Sequence, residues 1–259
     1  MSFTLVTAVS AIGLFLGMLA LFEVGRRIGL ARFARDPDGV AKGAGPVEAA
    51  VFGLLGLLLA FTFSGAASRF EDRRHLIAEE ANAIGTAYLR VDLLPRDAQP
   101  EVRQLFRQYV NERLETYQTL ASVAAVGATL SAGQAQQDKL WAASVTAVQR
   151  PDAAASASIL LIPSMNEMFD IATTRAVALQ NHPPRVIFLL LAGLSLASAV
   201  LAGYVMCSTM VRSWFYMLLF ATTMSLTLYV ILDLEYPRFG LIRIDSADQA
   251  LDELLKHMQ

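Results

Sequence analysis

One run of residues in this 259-residue chain has types and spacing suited to chemistry. Leu57, Phe61, Ser64 and Ser68 fall on a single helical stripe at i, i+4, i+7 and i+11, and Arg69, Arg73 and Arg74 follow at once, interleaved with Glu71 and Asp72. If several copies of the stripe met around an axis, Leu57 and Phe61 would form an apolar constriction. Ser64 and Ser68 would line a polar mouth beyond it, as where a dewetting gate joins a permeation path. Arginines beyond the mouth raise the local concentration of anions. The other reading turns the stripe toward the chain's own helices and gives the arginines to lipid phosphates. Glu71, His75 and Glu79 share a helical face at i, i+4, i+8, suited to a divalent cation or, more simply, to salt bridges with Arg74 or a neighbouring helix. The sequence has no glycine-rich phosphate loop, no His-Glu-x-x-His and no serine-centred elbow. The single cysteine, Cys207, excludes an internal disulfide and a thiolate cluster, and reads as a small apolar filler. No enzyme, cofactor or metal site is expected.

The elements that must position the stripe follow from composition. Hydrophobic residues make up 55% of the chain and charged ones 17%, against about 25% charged in soluble domains. That excess implies lipid contact. A net charge of −2 and a pI near 5.9 argue against a nucleic-acid partner. Four stretches reach the length of about 20 residues that a bilayer requires: Phe3 to Phe22, Val47 to Ala67, Val186 to Cys207 and Trp214 to Leu232. The first lacks a basic lead and a small-residue cleavage site, so it reads as a retained helix. Only Glu48, at an edge, is charged within any of them, which disfavours an ion-coupled transporter. Asp233 and Glu235 end the fourth, where they would reach water.

The spans are expected in two pairs. The first pair is joined through an Asp36-Pro37-Asp38-Gly39 turn and the second through a tight hairpin at Met210-Val211-Arg212. Between the pairs, the periodicity predicts helix throughout. Helix two continues outward to a break at Pro95. An amphipathic helix carries Val102, Leu105, Phe106, Tyr109, Val110, Tyr117 and Leu120, a third spans Gln134 to Val148, and a fourth runs from Ser156 to Gln180 with Pro163 as its start or a kink. His182 before Pro183-Pro184 reads as a turn residue. A tail helix, Ser246 to Met258, presents Ala247, Leu251 and Leu254 for docking on this domain, in its own or a neighbouring subunit. The expected fold is all-α: a first transmembrane pair over 1–67, a helical extramembrane domain over 68–185, a second pair over 186–232 and a tail over 233–259. Gly13-x-x-x-Gly17, Gly193-x-x-x-Ala197 and Ala199-x-x-x-Gly203 suit close helix packing, within the chain or between subunits. Arg26, Arg27, Arg32, Arg35, Lys42 and Arg212 on one side nearly balance Arg69, Arg73, Arg74, Arg175, Arg185, Arg238 and Arg243 on the other, so charge leaves the orientation open.

Four blocks carry a resemblance. Leu57 to Arg74, Glu79 to Arg90, Pro163 to Arg175 with Asn166 and Glu167, and Asp233 to Arg243 together resemble the bacterial bestrophin-like membrane proteins, across nearly the whole chain. A more distant similarity, to the bestrophins, implies a pentameric anion channel whose second span lines the pore. Phe61, Arg69, Phe70, Asp72 and Arg74 can be laid on the motif that ends that span. The tryptophans common there are absent, with Glu71 in their place, and no acidic calcium clasp is evident, so calcium gating is not carried over. The resemblance implies a homo-oligomer, a pentamer as in that family, among the lipids of the bacterial inner membrane, with the helical domain and both termini cytoplasmic and anions such as chloride as cargo. A rival expectation is a non-conducting scaffold or sensor whose helical domain binds a partner. It requires the first, third and fourth spans to cover the helix-two stripe.

Overall fold

The computed structural model describes residues 3–35, 45–119, 125–208 and 214–258. The described chain is all-α, as expected, with no strand among those residues. The helices are α1 (Phe3–Phe33), α2 (Gly45–Leu89), α3 (Gln99–Thr119), α4 (Ala125–Val148), α5 (Ala157–Gln180), α6 (Arg185–Val205), α7 (Trp214–Glu235) and α8 (Asp245–His257). Short 3-10 turns at Arg90–Leu93 and Met206–Ser208 close α2 and α6. Four helical stretches are long and apolar enough to cross a membrane: Phe3–Phe33, Gly45–Leu93, Ala157–Val205 and Trp214–Glu235. The expected turn at Asp36–Gly39, the hairpin at Met210–Arg212, Lys42 and Leu120 lie outside the described residues. Helix α4 starts at Ala125 rather than Gln134, because an alanine-rich run tolerates Gly127 and Gly133. Pro163 lies inside α5.

The chain forms two units from interleaved segments: Met1–Phe70 with Pro183–Ile242, and Glu71–His182 with Arg243–Gln259. In the first, Leu55, Leu59 and Ala66 of α2 pack with Leu191 of α6 and Leu228 and Ile231 of α7. Met18 and Phe22 of α1 pack with Ala199 of α6 and with Met217 and Ala221 of α7. Helices α1 and α6 touch backbone to backbone. A Cβ at Gly203 would collide with the Phe22 carbonyl, and one at Gly25 with the Val200 carbonyl. Small residues permit this approach where burial of apolar surface gives little drive. Ala199-x-x-x-Gly203 is therefore an intrachain contact, whereas a Cβ at Gly13 or Gly193 would meet nothing within 4 Å. Cys207 is buried beside Gly29.

The second unit is built on Ile84 and Tyr88 of α2, Val102, Phe106 and Tyr109 of α3, and Met165 of α5. The apolar face of α3 thus points inward with the predicted spacing. Helix α8 docks on its own chain through Leu251, fully buried, a contribution of about 2 kcal/mol. The Met258 carbonyl accepts from Tyr88 Oη at 3.0 Å and Arg107 Nη1 at 3.1 Å.

Candidate functional site

Helix α2 buries one face and leaves the other open. Leu55, Leu59 and Ala66 are covered by α6 and α7. At 100° per residue, Leu57 lies about 200° from Leu55, and the stripe that starts there runs along the uncovered side. Leu57 is 52% exposed and Phe61 67%, and Ser64 and Ser68 are also exposed. Thr62, beside the stripe, returns its hydroxyl to the Leu58 carbonyl at 2.7 Å.

The three arginines beyond the stripe have three different environments. Arg69 turns to Glu235, with Nε 3.0 and 3.2 Å from the two carboxylate oxygens. It packs along Gly65, where a Cβ would lie 3.2 Å from its Nη1. Arg73 is buried and donates to the carbonyls of Ala178 at 3.1 Å and Asn181 at 2.9 Å, with His182 Nδ1 3.5 Å away. There it satisfies carbonyls at the C-terminus of α5, where positive charge is favourable. Arg74 stays half exposed and bonds Glu71 at 3.0 Å. His75 faces Glu79 at 3.1 Å on the exposed surface. The Glu71/His75/Glu79 face is thus occupied by a Glu71–Arg74 salt bridge and a His75–Glu79 contact, and among the described residues no group of three ligating side chains gathers.

Asp233 and Glu235 do not reach water. Both are fully buried, because the segment after α7 folds back over the helix end. Asp233 accepts the backbone N–H groups of Leu241 at 3.0 Å and Ile242 at 2.7 Å, and Glu235 accepts from Arg69. Gly240 permits this turn, since a Cβ there would run into the Asp233 carboxylate. Gly240→Ala is accordingly expected to cost about 2 kcal/mol, read as a lower midpoint in thermal unfolding of the purified protein. An unchanged midpoint would contradict the close approach.

Charge and periodicity alone do not mark the buried ionic cluster of the helical unit. Glu80 of α2, Arg113 of α3, Arg175 of α5 and Asp248 of α8 are all buried. Arg113 Nε donates to Glu80 Oε1 at 2.7 Å, Arg175 Nη1 donates to the other Glu80 oxygen, and Arg175 Nη2 reaches Asp248 at 2.9 Å. Burial of charge requires such pairing. Its one sequence signal was the place of Glu80 and Arg175 inside two of the resemblance blocks. The same blocks line a polar groove of 630 Å³, with Glu79 and Asn82 on one wall and Asn166, Glu167 and Asp170 on the other.

A family model described as a bestrophin-like domain matches residues 12–249. Among solved structures, a variant of a bacterial bestrophin homologue from Klebsiella pneumoniae superposes with a TM-score of 0.70 at 12% identity, covering 96% of this chain and 98% of that one. Another crystal structure of a bestrophin homologue from the same organism gives 0.62 at 12% identity, over 93% and 97% of the two chains. A crystal structure described as a membrane protein gives 0.69 at 14%, over 94% and 98%. At these identities the likeness is one of fold. No curated protein matches in sequence. The family model spans the stripe, both helical units and the tail up to Gln249, and the chain belongs to the bestrophin-like family.

Proposed function

We propose that the protein is an oligomeric passive ion channel of the bacterial inner membrane, conducting anions such as chloride through a pore lined by α2. The observation that carries this reading is the uncovered stripe: Phe61 is 67% exposed while the opposite face of α2 is packed. A scaffold would have covered that stripe with α1, α6 and α7. In the oligomer, pentameric in this proposal, Leu57 and Phe61 form the constriction, and the Ser64 and Ser68 hydroxyls offer donors to a partly dehydrated anion. No acidic residue lies between Glu48 and Glu71, so the stripe presents no fixed negative charge. Arg69 and, further along the same helix, Arg74 form the rim, each ion-paired with a carboxylate, Glu235 and Glu71, while Arg73 holds the end of α5. The helical domain faces the cytoplasm.

Chloride flux from liposomes tests the proposal. Phe61→Ala removes the aromatic ring from the narrowest ring of residues. Flux is expected to rise about ten-fold, equivalent to a barrier lower by about 1.4 kcal/mol. If neither the wild-type protein nor Phe61→Ala passes any ion, the channel reading fails. A monomeric mass in mild detergent would also count against it.

A further inference from the structure

The membrane-crossing unit carries an apolar groove of 530 Å³ between α1, α6 and α7, within the range of about 300–1,000 Å³ of small-molecule sites. Phe3 and Leu14 on α1, Arg185 and Ala192 on α6, Leu228 on α7 and Tyr236 just beyond it mark its extent. The helix directions make its two ends unlike. Gly17 lies against Leu196 and Gly25 against Val200, so α1 and α6 run parallel, and their first residues lie at one end. Tyr236, just past the end of α7, lies against Phe3 in a tilted contact with ring centroids 4.6 Å apart, so it lies at that end too. Arg185, Phe3 and Tyr236 therefore share one end of the groove, and Leu14, Ala192 and Leu228 lie deeper.

From Phe3 to Leu14 the helix rises roughly 16 Å, about half of a hydrocarbon core of about 30 Å. The groove is one leaflet deep. Its wall is largely apolar: Thr7 returns its hydroxyl to the carbonyls of Phe3 and Thr4, Ser10 returns its own to Val6, and Tyr229 adds one phenol. Only the Arg185 end is charged, and tyrosine and arginine there match the headgroup level. Arg185 is exposed, and Pro184 before it has no side chain able to cap the first-turn amides of α6. An occupant must be a long apolar chain with one anionic end.

We propose that this groove binds one acyl chain of an anionic phospholipid, with the phosphate held by Arg185. The test is native mass spectrometry of the full-length protein released from nanodiscs of phosphatidylcholine and phosphatidylglycerol. The wild type should retain phosphatidylglycerol in preference to phosphatidylcholine. Arg185→Gln should lower that preference about ten-fold, the worth of a charge-assisted hydrogen bond. Ala192→Phe, which fills the deep end, should lower retention of both lipids. Arg27→Gln, which removes a 76% exposed arginine in the last turns of α1, should leave the preference unchanged. If Ala192→Phe is not monodisperse, Arg185→Gln alone decides. Unchanged adducts in Arg185→Gln overturn the proposal, as does an equal loss in Arg27→Gln, which would mean diffuse charge attraction. A wild-type oligomer free of lipid adducts, dissociated by Ala192→Phe, also overturns it by showing that a second copy fills the groove.

Discussion

Arg175→Met is expected to destabilise the helical domain by about 3–5 kcal/mol, the cost of breaking a buried ionic cluster by removing one partner. Arg175 is 2% exposed and bridges Glu80 of α2 to Asp248 of α8. Methionine fills similar volume but offers no donor, so two carboxylates lose a hydrogen-bond partner in a site that water does not reach. For a domain of this size the unfolding midpoint should fall by roughly 10–20 °C, followed by circular dichroism of the purified protein. The two bonds are separable. Asp248→Asn weakens only the link to α8, and a double-mutant cycle between positions 175 and 248 should return a coupling of about 1–3 kcal/mol. A midpoint unchanged by Arg175→Met would mean that the cluster is not buried as described.

Gly203→Ala is the second large effect, expected to cost about 3 kcal/mol in the membrane-crossing unit. The added methyl group meets the Phe22 carbonyl, which is backbone and cannot rotate away. Helices α1 and α6 would have to separate, loosening the packing of Met18, Phe22 and Ala199. Gly193→Ala provides the internal control ten residues earlier on the same helix, where a Cβ meets nothing within 4 Å. It should be neutral or slightly stabilising, since alanine restricts the unfolded chain. Detergent-resistant folded fraction on heating distinguishes the two. Equal behaviour of the two variants would refute the crossing.

What could be read in advance follows from the solvent each residue meets. The four spans were legible because hydrocarbon excludes charge along about 20 residues. The inward face of α3, with Val102, Phe106 and Tyr109, was legible because water contrasts with a core. Inside the membrane that contrast vanishes. Leu55 and Leu57 are the same residue type two positions apart, yet one is 1% exposed and the other 52%. Lipid is as apolar as a packed neighbour, so periodicity could align the stripe but could not say that it stays uncovered. Arg73, Glu80 and Arg175 were hidden for another reason. A charged residue normally belongs at the surface, and the partner that permits its burial lies up to 108 positions away, as Asn181 does from Arg73. Asp233 depended on amides eight and nine residues ahead; Pro237 and Gly240 signal a turn there but not which carboxylate it wraps.

The interleaving of the two units sets an order in time. The first needs Met1–Phe70 together with Pro183–Ile242, and the second needs Glu71–His182 together with Arg243–Gln259. Domains usually fold in turn from the N-terminus as the chain leaves the ribosome. Here neither unit can finish early. Glu235 has its arginine waiting on α2 from the first third of synthesis, whereas Arg175 must wait for Asp248. Until α8 emerges, the Glu80–Arg113–Arg175 cluster lacks its fourth member and Leu251 leaves a gap in the core. The nascent protein therefore inserts its α1 and α2 spans long before its helical domain closes, and a chain stopped before Asp248 would sit in the membrane with that domain unlatched.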